Sequence, residues 1–89
     1  MTVQDTDTVK VGRITQIRDI VAETFSAKPG QVEAARSFED ELDTNSLLAI
    51  NLLVALEEEF DVSIHDDELP RLMTNLDMAY EVVAECAGW

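Results

Sequence analysis

The chain has a single cysteine, Cys86, so no disulfide can form within it, which fits a reducing, cytosolic setting. Its single histidine, His65, has no second histidine and no cysteine at ligand spacing, so no metal site can be built around it. No nucleophile neighbours it in sequence either. His65 is therefore read as a surface residue, and Cys86 as a small buried or half-buried side chain rather than a nucleophile. No apolar run approaches the ~20 residues that cross a bilayer. The start, MTVQDTDTVKVGR, lacks a basic region followed by an apolar stretch, so no secretory signal is expected. Basic residues are scarce as well. Six Lys and Arg stand against 19 Asp and Glu, a net charge of −13, and between Arg36 and Arg71 there is none. Glu39, Asp40, Glu41, Asp43, Glu57, Glu58, Glu59, Asp61, Asp66, Asp67 and Glu68 all fall in that span. Such a surface repels phosphate backbones and anionic lipid, which excludes nucleic acid and membrane as partners. It suits solubility, and it also suits docking to basic partners, steered by charge and weakened by salt.

What is present is enough for one small domain. The 89 residues are 46% apolar, which supports a packed interior. Residues 1–8 are polar and are expected to form a frayed, flexible tail. Val11, Ile14, Ile17, Val21 and Phe25 then recur three or four apart, widened by Ile20 and Ala22, which predicts an amphipathic helix over about 9–26. Lys28-Pro29-Gly30 stops it. A long polar connection follows over about 27–45, with Phe38 and Leu42 as apolar anchors and room for a short turn at Val32 and Ala34–Ala35. Connections this long are often functional. A second helix is expected over Ser46–Phe60, capped by Asn45 or Thr44, with Leu47, Ile50 and Val54 on its apolar side, joined by Leu53 and Leu56 and closed by Phe60. FDVSI reads as an extended link. HDDELPRLM reads as a short helix or turn that Pro70 either begins or ends. The last helix, capped by Thr74 or Asn75, carries Leu76, Ala79, Tyr80, Val83 and Ala87 on its stripe and ends at Gly88.

These elements predict an all-α fold, a small four-helix bundle of three main helices and one short helix with a long loop after the first. They point away from an enzyme. The carboxylate runs are of the kind that is ordinarily solvated, and a bundle this small offers little room for an enclosed catalytic pocket.

One stretch, ELDTNSLLAINLLVALEEEFDVSI, is left to explain, because Ser46 stands at a helix mouth with no histidine, lysine or glycine-rich loop nearby to activate its hydroxyl. Alone, such a serine is an ordinary capping residue. In its setting the stretch resembles the carrier proteins of fatty acid, polyketide and nonribosomal peptide synthesis. Asn45-Ser46-Leu47 stands where that family has Asp-Ser-Leu, Leu42 holds the upstream apolar place, Phe38 matches the loop anchor, and LVALEEEFDVSI follows the family's second helix and its exit. The resemblance spans roughly residues 10–87.

The resemblance implies that residues 9–89 form a carrier domain, not an enzyme, which binds no metal and works as a cytoplasmic monomer. Ser46 would be the attachment point of a 4′-phosphopantetheine arm, transferred from coenzyme A by a phosphopantetheinyl transferase, on which acyl or aminoacyl intermediates ride as thioesters. Asp43, Asn45, Leu47, Leu48, Ile50, Val54, Glu57 and Glu58 would meet partners with basic docking patches: the transferase, a loading enzyme, and downstream synthases, transferases or tailoring enzymes. Two departures stand out. Asn45 replaces the usual Asp, with Asp43 placed to compensate, and Leu48 and Asn51 occupy places that are acidic in the fatty acid branch. SLLAI looks like a peptidyl carrier and ALEEEF like an acyl carrier. The mixture implies a stand-alone carrier of polyketide or nonribosomal peptide biosynthesis, with a housekeeping fatty acid carrier, or an unmodified carrier-like interaction module, as alternatives.

Overall fold

The computed structural model describes residues 2–89, with side chains from residue 8 onward. In order they form α1 (Thr2–Phe25), α2 (Pro29–Ala34), α3 (Phe38–Glu41), α4 (Ser46–Phe60), a 3₁₀ turn (Asp66–Glu68), α5 (Leu69–Leu72) and α6 (Leu76–Ala87). The described residues contain no strand, so the fold is all-α as the periodicity predicts, with three long helices, α1, α4 and α6, and three short ones, α2, α3 and α5, where the sequence suggested one. Among the described residues no helix is long and apolar enough to cross a membrane. The helix α1 begins before residue 9; the tail expected over residues 1–8 falls, except for Thr8, on side chains outside the described residues.

Each long helix is followed by a residue at positive φ: Ser26 after α1, Asp61 after α4 and Gly88 after α6. The helix α1 stops at Phe25, where Ser26 turns left-handed at φ 53° ahead of Pro29. Asn75, not Thr74, caps α6, its Oδ1 accepting the Met78 N–H at 2.9 Å. Gly88 closes that helix at φ 75°, a left-handed conformation that costs glycine little. Pro70 sits in the first turn of α5 and so begins that helix, where its missing N–H costs nothing.

The helix α1 packs against α2, α4 and α6, and α5 bridges α4 and α6. The core is built from Ile17, Val21, Phe25, Val32, Phe38, Leu52, Leu56, Leu72, Val82 and Val83 with their neighbours. Burying each such side chain fully contributes roughly 1.5–3 kcal/mol. One expected stripe member stands elsewhere, Val11, which is exposed on α1; on α6 Leu76, Ala79 and Val83 enter the core, joined by Val82, and the half-buried Tyr80 packs against it. Cys86 is exposed, not buried, because the inward side of α6 is already taken by Val82 and Val83. His65 is exposed, as expected, and its Nδ1 caps the 3₁₀ turn by accepting the Asp67 N–H at 3.2 Å. At the far end of the bundle Trp89 joins α1, α4 and α6, with the Arg13 guanidinium 4.0 Å above its ring, Phe60 edge-on at 5.4 Å and Tyr80 at 5.9 Å.

The connection from α1 to α4 is more ordered than its polarity suggests. Ser37 Oγ accepts the Asp40 N–H to start α3, and Glu41 Oε2 folds back onto the Arg36 and Ser37 N–H groups at 2.6 and 3.0 Å. Phe38 goes fully into the core against Phe25, and its N–H donates to the Thr74 carbonyl at 2.9 Å. The connection is thus held at residues 36–41, a few residues before α4 begins.

Candidate functional site at the start of helix α4

Asn45 has extended backbone geometry, and its Oδ1 accepts the Leu48 N–H at 2.9 Å, while its carbonyl accepts the Ala49 N–H at 3.0 Å. Asparagine caps well because its short side chain reaches the first-turn donors. The next residue, Ser46, is exposed. Since Asn45 does the capping, the Ser46 hydroxyl is not used for it, and among the described residues neither the Ser46 nor the Leu47 N–H has a partner. An unpaired pair of N–H groups at a helix start carries partial positive charge and favours an anion beside it.

The packing divides the apolar residues of α4 between core and surface. The core face of the helix is Ala49, Leu52, Leu53 and Leu56. Leu47, Ile50 and Val54 point outward, at 67, 50 and 42% exposure, while Leu53, Leu56 and the half-buried Phe60 face inward. Residues three and four apart share a helix face, so Leu47, Ile50 and Val54 form one apolar ridge running from Ser46. Leu48 lies on another side, partly buried against the core, and does not belong to the ridge. Asp43 is exposed just before the serine. Glu57 and Glu58, expected to act alike, differ: Glu58 is exposed, whereas Glu57 is half-buried and its Oε2 accepts the Ile64 N–H at 2.8 Å.

Beside Ser46 lies an open groove of about 450 Å³ between α4 and α5. Ala49, Ile50, Leu69, Pro70 and Met73 give it apolar walls, and Glu39, Thr44, Asn45 and Ser46 line its rim. The α5 wall and Glu39 were not foreseen as site residues. Leu69 at the start of α5 and Met73 just after its end, four apart, were the only local signal, and Glu39 lines the groove from α3. Among the described residues no group of His, Cys, Asp and Glu could hold a metal ion. The arrangement of exposed hydroxyl, unpaired N–H groups and adjoining apolar groove can accept a covalent phosphodiester with a flexible organic chain beyond it.

Residues 15–82 match the family described as the phosphopantetheine attachment site. Similar proteins are named acyl carrier protein. One from Bdellovibrio bacteriovorus is 39% identical over 64 residues, which is 72% of this chain and 82% of that protein. One from Thermosynechococcus vestitus is 40% identical over 63 residues, 71% of this chain and 78% of that protein. Among solved structures, a chain of the one described as the ishigamide ketosynthase/chain length factor superposes with a TM-score of 0.71 at 39% identity, covering 86% of this chain and 96% of that one.

Proposed function

The chain belongs to the phosphopantetheine attachment family, whose members of similar sequence are acyl carrier proteins and not enzymes, and we propose that it carries its prosthetic group on Ser46. That group is a covalently attached 4′-phosphopantetheine, which supplies a thiol on which acyl groups are held as thioesters. The observation that carries the assignment is the geometry at Ser46: a hydroxyl exposed at the start of α4, released from capping by Asn45, beside two unpaired N–H groups. In loading, the Ser46 oxygen forms a bond to phosphorus, the adenosine bisphosphate part of coenzyme A leaves, and the serine proton passes to the transferase. The chain's own contribution is exposure, partial positive charge beside the new phosphodiester, and a groove for the first part of the arm.

The partners are a phosphopantetheinyl transferase, a loading enzyme and a synthase. The likeness to a chain found with a ketosynthase and chain length factor, and the neutral Leu48 and Asn51, support acyl cargo in polyketide-type secondary metabolism over housekeeping fatty acid synthesis. The docking face is the ridge Leu47, Ile50 and Val54, with Asp43 at one end and Glu58 at the other. Its partners therefore offer an apolar hollow flanked by cations. The carrier works in the cytoplasm.

Intact-mass spectrometry after incubation with coenzyme A, magnesium and a broad-specificity transferase tests this reading. The protein should gain one phosphopantetheine and Ser46→Ala none. A wild-type chain that gains nothing would make it an unmodified interaction module.

A further inference from the structure

We propose that Arg71 is a positioning residue for the groove beside Ser46, acting by clasping the one-turn helix α5 to α6. The inference rests on the assignment of the arm to Ser46. The helix α5 has four residues, too few to persist without tertiary support. It is fastened on two sides. Leu72 and the following Met73 enter the core. The Arg71 guanidinium takes the other side: Nη1 donates to Glu68 Oε1 and Glu85 Oε1, each at 3.0 Å, and Nη2 donates to Glu85 Oε2 at 2.9 Å. One side chain so joins the 3₁₀ turn, α5 and α6.

The same short segment forms the groove wall. Leu69 and Pro70, immediately before Arg71, and Met73, two residues after it, all line the groove that Ser46 opens into. A shift of α5 relative to α6 therefore moves that wall. Exposed ion pairs contribute little as a rule, and the exceptions are bidentate forks and shared networks. Arg71 is both. It is also the only Lys or Arg between Ser37 and Trp89, so no other cation of that span can take its place. Without it, Glu68 and Glu85 lose their shared counter-charge.

The test begins on the protein without its arm, by amide hydrogen exchange. Met73 donates its N–H to Leu69 and Thr74 donates to Arg71, so these amides report on α5. Arg71→Met keeps the apolar stem and removes the fork. It should speed exchange at Met73 and Thr74 roughly three- to tenfold and leave Leu52 and Leu56 unchanged. Arg71→Lys should fall between, because a point charge cannot make the fork. Glu85→Gln should reproduce most of the effect, and the double variant should add little to Arg71→Met. On the loaded protein, the shifts that the arm induces at the Met73 and Ile50 methyl groups should shrink in Arg71→Met. Unchanged exchange at Met73 and Thr74, or additive effects of the two substitutions, would overturn the clasp. Unchanged arm-induced shifts in Arg71→Met, or none in the wild-type protein, would overturn its role toward the groove. Loading that survives Ser46→Ala would instead overturn the attachment reading, leaving the exchange result standing as a separate finding.

Discussion

The carboxamide of Asn45 accepts the Leu48 N–H at 2.9 Å, and Ser46, lying between the two residues, is thereby relieved of capping α4. The two neighbours have divided tasks, one holding the helix start and the other presenting its hydroxyl. Their substitutions should therefore have opposite profiles. Asn45→Ala should lower stability by about 0.5–2 kcal/mol. Ser46→Ala should change it by less than about 0.5 kcal/mol, as surface substitutions usually do, while abolishing loading. Denaturant melts of both variants, run beside loading assays, check the division.

Asn45→Asp separates capping from recognition. Both residues cap well, so the fold should be nearly indifferent. The added carboxylate lies at the positive end of α4, a placement worth ~0.3–1 kcal/mol at an exposed site. It restores the charge that the resembling carriers have before their serine, so loading by a broad-specificity transferase should become faster. If the native transferase is adapted to asparagine, it should show the reverse preference. Initial rates for both proteins with both enzymes decide this, and equal rates in all four would reduce position 45 to a cap alone.

Glu57 and Glu58 should part company under charge reversal. Glu58 is exposed, so Glu58→Lys should leave stability nearly unchanged and slow loading or cargo transfer at low salt, with the difference fading as ionic strength rises. Glu57 is half-buried and accepts the Ile64 N–H, so Glu57→Lys should cost about 1–3 kcal/mol by leaving that donor unpaired. On the ridge between them and Ser46, Ile50→Ala should weaken partner transfer with little effect on stability, whereas Leu52→Ala in the core should cost about 2–5 kcal/mol. Thermal melts paired with transfer rates read both halves.

The clasp at Arg71 carries a pH signature. Hydrogen bonding to Arg71 holds the Glu85 carboxyl below its ordinary range. A carboxyl depressed in the folded state adds stability above its unfolded value, and that gain disappears as pH falls through the folded value. The stability difference between the wild type and Arg71→Met should thus be constant near neutrality and shrink below about pH 4, where glutamates protonate. A difference that stayed level down to pH 2 would mean that Glu85 is not the partner that matters.

Much of this molecule can be read from its residues, and the gaps have physical causes. The helices α1, α4 and α6 announce themselves because their apolar residues recur at the helical period between usable caps. The phase of α4 does not. In LLAINLLVAL almost every side of the helix is apolar, so the sets Leu47, Ile50, Val54 and Ala49, Leu52, Leu56 satisfy the spacing equally well. The packing of α1 and α6 chooses between them, and that choice leaves Leu47, Ile50 and Val54 on the surface as the candidate docking ridge. The helix α3 was hidden because four residues show no period, although Phe38 was legible as an anchor. Chain order narrowed the cap of α4 to Thr44 or Asn45, and the structure gives Asn45, directly before the candidate Ser46. The groove could not be read from chain order, since its walls come from segments far apart in sequence.

The central claim is that the arm is carried on Ser46, and the absence of Lys and Arg between Arg36 and Arg71 gives a direct way to test it. Trypsin should release residues 37–71 of the loaded protein as one peptide containing Ser37, Ser46 and Ser63. Ser37 is engaged in capping α3, and Ser63 lies in the irregular link after α4. Tandem mass spectrometry of that peptide should place the phosphopantetheine on Ser46, with fragments containing only Ser37 or only Ser63 unmodified. Modification found on Ser37 or Ser63 would contradict the account.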